Sequence, residues 1–90
     1  MSARRNKNEI IYDILEALVQ RRGRLKPTRL LYKANLSHSQ MKEYMGELEE
    51  RGLVRMVEVK KRSYYELTEQ GYEFFQKLHQ IKEMSDALGL

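Results

Sequence analysis

Apolar residues recur at helical spacing in the first part of the chain. Between Asn8 and Arg21 they stand at i, i+1, i+4, i+5, i+8 and i+9, and the set consists of Ile10, Ile11, Ile14, Leu15, Leu18 and Val19. Such a stripe is typical of an amphipathic helix that packs on a core. Asn6 or Asn8 is a suitable N-cap, and Gly23 is suitably placed just past the end. The pattern predicts a first helix, followed by a very short strand around Leu25.

Two more helices are predicted next, separated by only a few residues. Pro27 suits the first turn of a helix, because its missing N–H would have no partner there in any case, and this second helix runs to Ala34. Ser37, with Gln40 three positions later, has the spacing of a capping box for a third helix over residues 37–51. One narrow apolar stripe runs along the third helix and consists of Met41, Tyr44, Met45 and Leu48. Two helices joined this closely, the second with a polar outer face, predict a helix-turn-helix.

The pattern changes after Gly52, which is expected to end the third helix. The runs 53–59 and 63–67 are rich in Val, Tyr, Met and Leu, which favours two strands. The polar residues between the runs, Lys60, Lys61 and Arg62, fit a hairpin connection. No Asn-Gly or Asp-Gly marks this turn, so its type and register stay open. Thr68 is a suitable N-cap for a fourth helix that runs from Glu69 to Leu90.

The fourth helix carries an apolar seam. Phe74, Leu78, Ile81 and Leu88 are spaced by four, three and seven residues, which is a heptad pattern interrupted at Ser85 with Met84 beside it. At 1.5 Å per residue the helix would span about 33 Å, more than one small core needs. A seam of this kind is expected to be paired in water. We predict a homodimer with an interface made of Phe74, Leu78, Ile81, Met84, Ser85 and Leu88.

Composition excludes several classes of function. The chain has 90 residues and no cysteine, so disulfides, thiolate metal sites and cysteine nucleophiles are excluded. His38 and His79 stand 41 positions apart, with no carboxylate cluster at metal-ligand spacing around either. No glycine-rich phosphate loop and no nucleophile motif occurs in the sequence. We expect no enzyme, no metal and no cofactor, and no feature names a small-molecule effector.

Positive charge is unevenly distributed along the chain. The net charge is +4, and residues 1–34 carry nine Lys or Arg against three acids, while residues 53–67 carry four against two. The segments 35–52 and 68–90 each carry two cations against four acids. This distribution indicates an acidic partner for one face of the protein. No apolar run approaches the roughly 20 residues of a membrane span, so we expect a cytoplasmic protein, without membrane contact.

The motifs around the hairpin resemble a known family. Leu48-Glu-Glu-Arg-Gly52-Leu53-Val54, the hairpin, and then Tyr65-Glu-Leu67-Thr68-Glu-Gln-Gly71 resemble the winged helix-turn-helix signature of prokaryotic DNA-binding regulators. The likeness covers residues 8–78, and the whole chain is most similar to small archaeal winged-helix DNA-binding proteins that dimerise through a C-terminal antiparallel coiled coil. The resemblance implies a mainly α (α+β) fold. It comprises a basic arm (1–7), a domain of three helices and a β-hairpin wing (8–68), and a C-terminal dimerisation helix (69–90).

The resemblance also implies that a dimer binds double-stranded DNA, as a transcription regulator or as a chromosome-associated protein of the nucleoid. In a winged helix the third helix enters the major groove by its N-terminal end. The candidate contacts on this recognition helix are His38, Ser39, Gln40, Lys42 and Glu43. The wing, residues 59–64, would cross the backbone or enter the minor groove. The candidate phosphate contacts are Arg24, Lys26, Arg29, Arg55, Lys60, Lys61 and Arg62.

The candidate residues also have structural explanations that the sequence leaves open. Ser37 and Gln40 are equally explained as a capping box. The three adjacent cations at residues 60–62 are also explained as a charged tip that keeps a hairpin soluble. Three functions are compatible with the sequence: a sequence-selective regulator, a weakly selective chromosome protein, and a winged-helix protein interaction module without DNA contact.

Overall fold

The computed structural model describes residues 5–89, and within that range the chain forms four helices and a three-stranded antiparallel sheet. In chain order the elements are α1 (Lys7–Gln20), β1 (Arg24–Leu25), α2 (Pro27–Lys33), α3 (His38–Glu50), β2 (Val54–Val59), β3 (Arg62–Leu67) and α4 (Glu69–Ala87). The mainly α fold with a hairpin is therefore confirmed. Residues 1–4 of the predicted basic arm, and the predicted helix end at Leu90, lie outside the described residues.

Helix α1 begins at a capping box and buries the predicted stripe. Asn6 Oδ1 accepts a hydrogen bond from the Glu9 N–H at 2.8 Å, and the Glu9 carboxylate accepts one from the Asn6 N–H at 2.9 Å. The stripe lies in the core, with Val19 partly buried at its edge. The chain leaves the helix through Arg22 and Gly23, whose φ angles are 60° and 87°. Because α1 includes Lys7, that residue of the predicted arm belongs to the folded domain.

The predicted helix-turn-helix is present, and a residue from the N-terminal segment ties it to α1. Pro27 opens α2, Ala34 is its C-cap, and the turn toward α3 passes through Asn35 with φ 55°. Arg5 donates hydrogen bonds to the carbonyl oxygens of Ala34 at 2.7 Å and Asn35 at 2.6 Å. The same guanidinium pairs with Asp13 of α1 at 2.8 Å. Arg5 thus satisfies carbonyl groups at the end of α2 that the helix itself leaves free.

The wing is a regular hairpin with a two-residue turn. The sheet order is β1-β3-β2, and β2 pairs with β3 from Val54 at the base to Val59 opposite Arg62 at the tip. Lys60 and Lys61 form the turn, with φ angles of 52° and 66°. Positive φ at both central residues is the type I′ arrangement that matches the twist of the flanking strands. The predicted three-residue connection is therefore wrong by one residue, since Arg62 begins β3.

Thr68 connects the end of α3, the base of the wing and the start of α4. Its hydroxyl accepts a hydrogen bond from the Gly71 N–H at 3.0 Å and donates one to the Gly52 carbonyl at 2.6 Å. The Thr68 N–H donates to the Leu53 carbonyl at 3.0 Å. Gly71 lies so close to the Leu53 carbonyl oxygen and the Leu67 side chain that a methyl group there would overlap both. The absence of a side chain at Gly71 therefore allows α4 to pack against the wing base.

Helix α4 packs along α1 through an aromatic cluster. The Phe75 and Tyr12 rings have centroids 5.2 Å apart, and the Tyr12 hydroxyl is hydrogen-bonded to His79 Nδ1 at 2.8 Å. Leu78 packs on the same core. Burial, and then the nearby Glu16 carboxylate, raise the pKa of Tyr12. The helix is shorter than predicted, because it ends at Ala87 instead of at the last residue.

Replacing Gly71 with Ala is expected to lower the free energy of unfolding by about 1–3 kcal/mol, the usual cost of forcing an extra group into filled space. Gly46→Ala is the matched control, because Gly46 lies on the exposed face of α3 and an added methyl group there meets nothing within 4 Å. In Gly46→Ala, the higher helix propensity of alanine should therefore raise the free energy of unfolding by up to about 1 kcal/mol. Urea unfolding followed by circular dichroism measures both. A stabilising effect of Gly71→Ala would contradict the close packing at the wing base.

Candidate nucleic-acid interface

The first turn of α3 is held by the capping box that the sequence suggested. Ser37 Oγ accepts a hydrogen bond from the Gln40 N–H at 3.1 Å, and Gln40 Oε1 accepts one from the Ser37 N–H at 3.0 Å. Gln40 is half-buried, whereas His38, Ser39 and the following Lys42 are exposed. The capping role of Gln40 is thus confirmed, and its amide oxygen is directed at the backbone of its own helix.

The outer face of α3 changes character along its length. Lys42, Glu43 and Gly46 are exposed on this face. Further along, Glu47 pairs with Lys7 at 2.9 Å and with Arg51 at 3.3 Å. A hydrogen bond from Lys7, followed by the charges of Lys7 and Arg51, lowers the pKa of Glu47 below its ordinary value. The acidic second half of the helix is therefore partly neutralised from within the domain.

The tip of the wing places charged residues in an unfavourable backbone conformation. Lys60 and Lys61 are exposed, and both adopt the left-handed conformation that Asn and Gly adopt more readily. The two-residue turn requires this conformation, and within residues 5–89 neither lysine side chain makes a hydrogen bond or ion pair that would account for it. Arg62 is exposed at the start of β3, so the three cations lie together at the end of the wing.

Two predicted phosphate contacts are joined by a carboxylate that the sequence analysis overlooked. Arg24 of β1 and Arg55 of β2 are the register partners of Glu66 in the central strand β3. The Arg24 guanidinium pairs with Glu66 at 2.6 Å, and the Arg55 guanidinium pairs with it at 2.8 Å. Hydrogen bonds from Arg24 and then from Arg55 lower the pKa of Glu66. All three residues are visible in the sequence, but only the exact register of the hairpin shows that Glu66 lies opposite both arginines.

The remaining predicted phosphate contacts lie at the start of α2. Lys26 is the N-cap residue of that helix, although its side chain makes no capping hydrogen bond, and Arg29 is in the first turn. Both side chains are exposed. Arg5, by contrast, is engaged inside the domain with Asp13 and the end of α2. The local sequence gave no sign of this engagement, because the contact with Ala34 spans 29 positions.

An apolar stripe on α4 is exposed to solvent. The exposed fractions are 38% for Phe74, 60% for Ile81, 63% for Met84 and 71% for Leu88. The other two predicted interface residues differ, since Leu78 packs on the core of its own domain and Ser85 is half-buried. The free stripe is therefore narrower than the predicted heptad seam.

The described residues meet neither the requirements of a metal site nor those of a membrane-spanning helix. Within residues 5–89 no group of three His, Asp or Glu side chains is arranged to hold a metal ion. In the same range, no helix has the length and apolar character needed to cross a membrane.

Solved structures with this fold include DNA-binding proteins and regulators. Sso10a-2, a DNA-binding protein from Sulfolobus solfataricus, has a TM-score of 0.79 at 24% identity, over 93% of this chain and 85% of that one. A winged-helix DNA-binding protein from STIV has a TM-score of 0.78 at 24% identity, over 88% and 92%. The PcaV transcriptional regulator from Streptomyces coelicolor has a TM-score of 0.76 at 27% identity, over 87% of this chain and 60% of that one.

The family is shown by the sequence itself. A comparison with curated proteins finds no match. A family model described as winged helix-turn-helix matches residues 4–86, which is nearly the whole chain. The resemblance carried by the Gly52 and Gly71 motifs is therefore confirmed, and the chain belongs to the winged helix-turn-helix family.

Proposed function

We propose that this protein binds double-stranded DNA as a dimer, either as a transcription regulator or as a chromosome-associated protein. The first turns of α3 enter the major groove, where His38, Ser39 and Lys42 reach base edges or phosphates. Gln40 and Glu43 complete the set of candidate contacts on this helix, although the capping bond limits Gln40. The wing crosses the backbone or enters the minor groove. Neighbours with this fold that are DNA-binding proteins support the proposal.

The turn at Lys60 and Lys61 is the observation that carries the proposal. A left-handed conformation costs roughly 1–2 kcal/mol at a residue with a side chain, and Asn-Gly would form the same type I′ turn at lower cost. Two lysines at these positions, followed by Arg62, give the hairpin a concentrated positive charge instead of a stable tip. A polyanion that contacts the tip would favour such residues, because each lysine can neutralise a phosphate.

The chemistry of the candidate contacts favours phosphate over base recognition. The exposed candidate cations that are not paired with Glu66 are Lys26, Arg29, Lys42, Lys60, Lys61 and Arg62. On α3, Ser39 distinguishes bases poorly, and Glu43 can only accept a hydrogen bond, for example from cytosine. This balance supports weakly selective binding to DNA. In a sequence-selective regulator, His38 and Lys42 would have to supply most of the base discrimination, because Ser39 and Glu43 supply little.

Dimerisation through α4 is the second part of the proposal. Phe74, Ile81, Met84 and Leu88 form an exposed apolar stripe on one side of the helix, next to the side that packs on α1. Pairing two copies of this stripe would remove it from water without disturbing the domain core. An antiparallel pair would place Phe74 near Leu88 of the partner subunit and would hold the two wings apart.

Binding to duplex DNA is expected to depend strongly on salt. Each phosphate neutralised contributes about −0.9 to the slope of log affinity against log salt concentration, so six such contacts give about −5. Fluorescence anisotropy with a duplex selected from a random pool, and with its scrambled version, measures slope and selectivity. Equal affinity for both duplexes indicates a chromosome protein, and a large ratio indicates a regulator. Absence of binding at low salt would contradict both and would favour a protein interaction module.

Replacing Lys60 by Asn and Lys61 by Gly is expected to stabilise the fold and to weaken DNA binding. The new turn relieves the left-handed lysines, which raises the free energy of unfolding by roughly 1 kcal/mol, while the loss of two phosphate contacts makes the salt slope smaller by about 1.8. Affinity should fall alike for every duplex. Lys60→Arg with Lys61→Arg is the control that keeps the charge and should keep the affinity. If the Asn-Gly variant binds as tightly as the wild type, the wing does not contact DNA.

Single cysteines on α4 are expected to reveal both the dimer and its orientation, because the chain has no cysteine of its own. In an antiparallel pair, Phe74→Cys alone forms no disulfide-linked dimer, but a mixture of Phe74→Cys and Leu88→Cys does. A parallel pair would cross-link each variant with itself. Gln76→Cys, on the opposite side of the helix from Phe74, is the control. No cross-link at any position, together with a monomeric mass in light scattering, would refute the dimer.

A further inference from the structure

The sheet face of the wing that points away from the core carries three charged residues in a row. Side chains alternate along a strand, and Leu25, Val54 and Leu67 are buried in the core. Their neighbours Arg24, Arg55 and Glu66 therefore lie on the opposite face. Arg24 pairs in register with Glu66, and Glu66 pairs in register with Arg55. The two arginines thus flank one carboxylate across three adjacent strands.

Each guanidinium group contacts the Glu66 carboxylate through its Nε and Nη2 atoms, and the two groups contact different oxygens. Arg24 donates from Nε at 3.2 Å and from Nη2 at 2.6 Å to one oxygen of Glu66. Arg55 approaches the other oxygen with Nε at 2.9 Å and Nη2 at 2.8 Å. A guanidinium has five N–H donors in a fixed fork, so each arginine keeps free donors on its remaining edge. Arg24 is further restrained by the Tyr64 ring, whose centroid lies 5.8 Å from its Cζ atom.

Exposure shows which groups a ligand could reach. The Glu66 side chain is only 19% exposed, whereas those of Arg24 and Arg55 are 43% and 65% exposed. The carboxylate therefore lies beneath the two cations. The three side chains together carry a net charge of +1, and their free N–H groups face solvent. The Nη1 groups of both arginines are not used by Glu66, and guanidinium groups bind phosphate oxygens through such donors.

We propose that Glu66 is a positioning residue that holds Arg24 and Arg55 as one binding site for a DNA backbone phosphate. This inference rests on the proposed DNA binding and adds a contact on the sheet face of the wing to those at its tip. Long side chains normally lose conformational entropy when they are fixed on a ligand. Glu66 removes that cost before binding, so an acidic residue increases affinity for a polyanion. The alternative is that Glu66 only neutralises two cations and stabilises the sheet.

A pair of charge-matched variants separates these two roles. Glu66→Gln and Glu58→Gln each remove one negative charge from the wing, and Glu58 is exposed on β2. General electrostatics predicts that both variants bind DNA at least as tightly as the wild type. If Glu66 is a positioning residue, Glu66→Gln binds about tenfold more weakly, because two long side chains must then be ordered on binding. Its salt slope should also be smaller by about 0.9, the contribution of one phosphate.

A double-mutant comparison provides a readout that a purely structural role would not affect. Arg55→Gln should weaken binding clearly in the wild type and much less in the Glu66→Gln background, because the site is already lost there. Circular dichroism confirms that each variant is folded at the temperature of the titration. The inference is overturned if folded Glu66→Gln binds as tightly as Glu58→Gln, or if the effects of Arg55→Gln are additive. A wild type that binds no duplex refutes the proposed function itself.

Discussion

One hydroxyl group at the base of the wing fixes the arrangement on which the rest of the structure depends. Thr68 Oγ1 donates to the carbonyl of Gly52, where α3 ends, and accepts from the N–H of Gly71, where α4 begins. The Thr68 N–H is bonded to Leu53, just before β2. Helix α3, the wing and α4 therefore meet within one hydrogen-bond network. Gly71 completes it, since any side chain there would push α4 away from the wing base.

This junction links the proposed DNA surface to the proposed dimer surface. Once α4 starts from Thr68, it packs on α1 through Phe75, Tyr12 and His79. That packing leaves the stripe from Phe74 to Leu88 on a different side of the helix. The relative orientation of two wings in a dimer would then follow from the angle between α4 and the wing base. A substitution at Gly71 should therefore affect the spacing of the two wings as well as the stability of each domain.

Local features of the fold could be predicted from the sequence, and non-local ones could not. The caps at Ser37 and Thr68 depend on residues three positions away, so their spacing was visible. The two-residue turn was missed because lysines are unusual in a type I′ turn. Without the turn, the register that places Glu66 between Arg24 and Arg55 was undetermined. The ion pairs of Arg24 and Arg55 with Glu66 were therefore hidden, as was the contact of Arg5 with a carbonyl 29 positions away.

The places where the chain departs from local preference fall into two groups. Gly71 is explained by internal packing, because a side chain there would overlap the wing base, and Gly23 is explained by its φ of 87°, which favours glycine. Arg22, Lys60, Lys61 and Gly46 have no such explanation: the three charged residues adopt a costly conformation while exposed, and Gly46 weakens a helix where space is open. Unexplained departures of this kind are expected at functional sites. Three of the four lie in α3 or the wing, the elements that a winged helix presents to DNA, and Arg22 lies in the turn after α1.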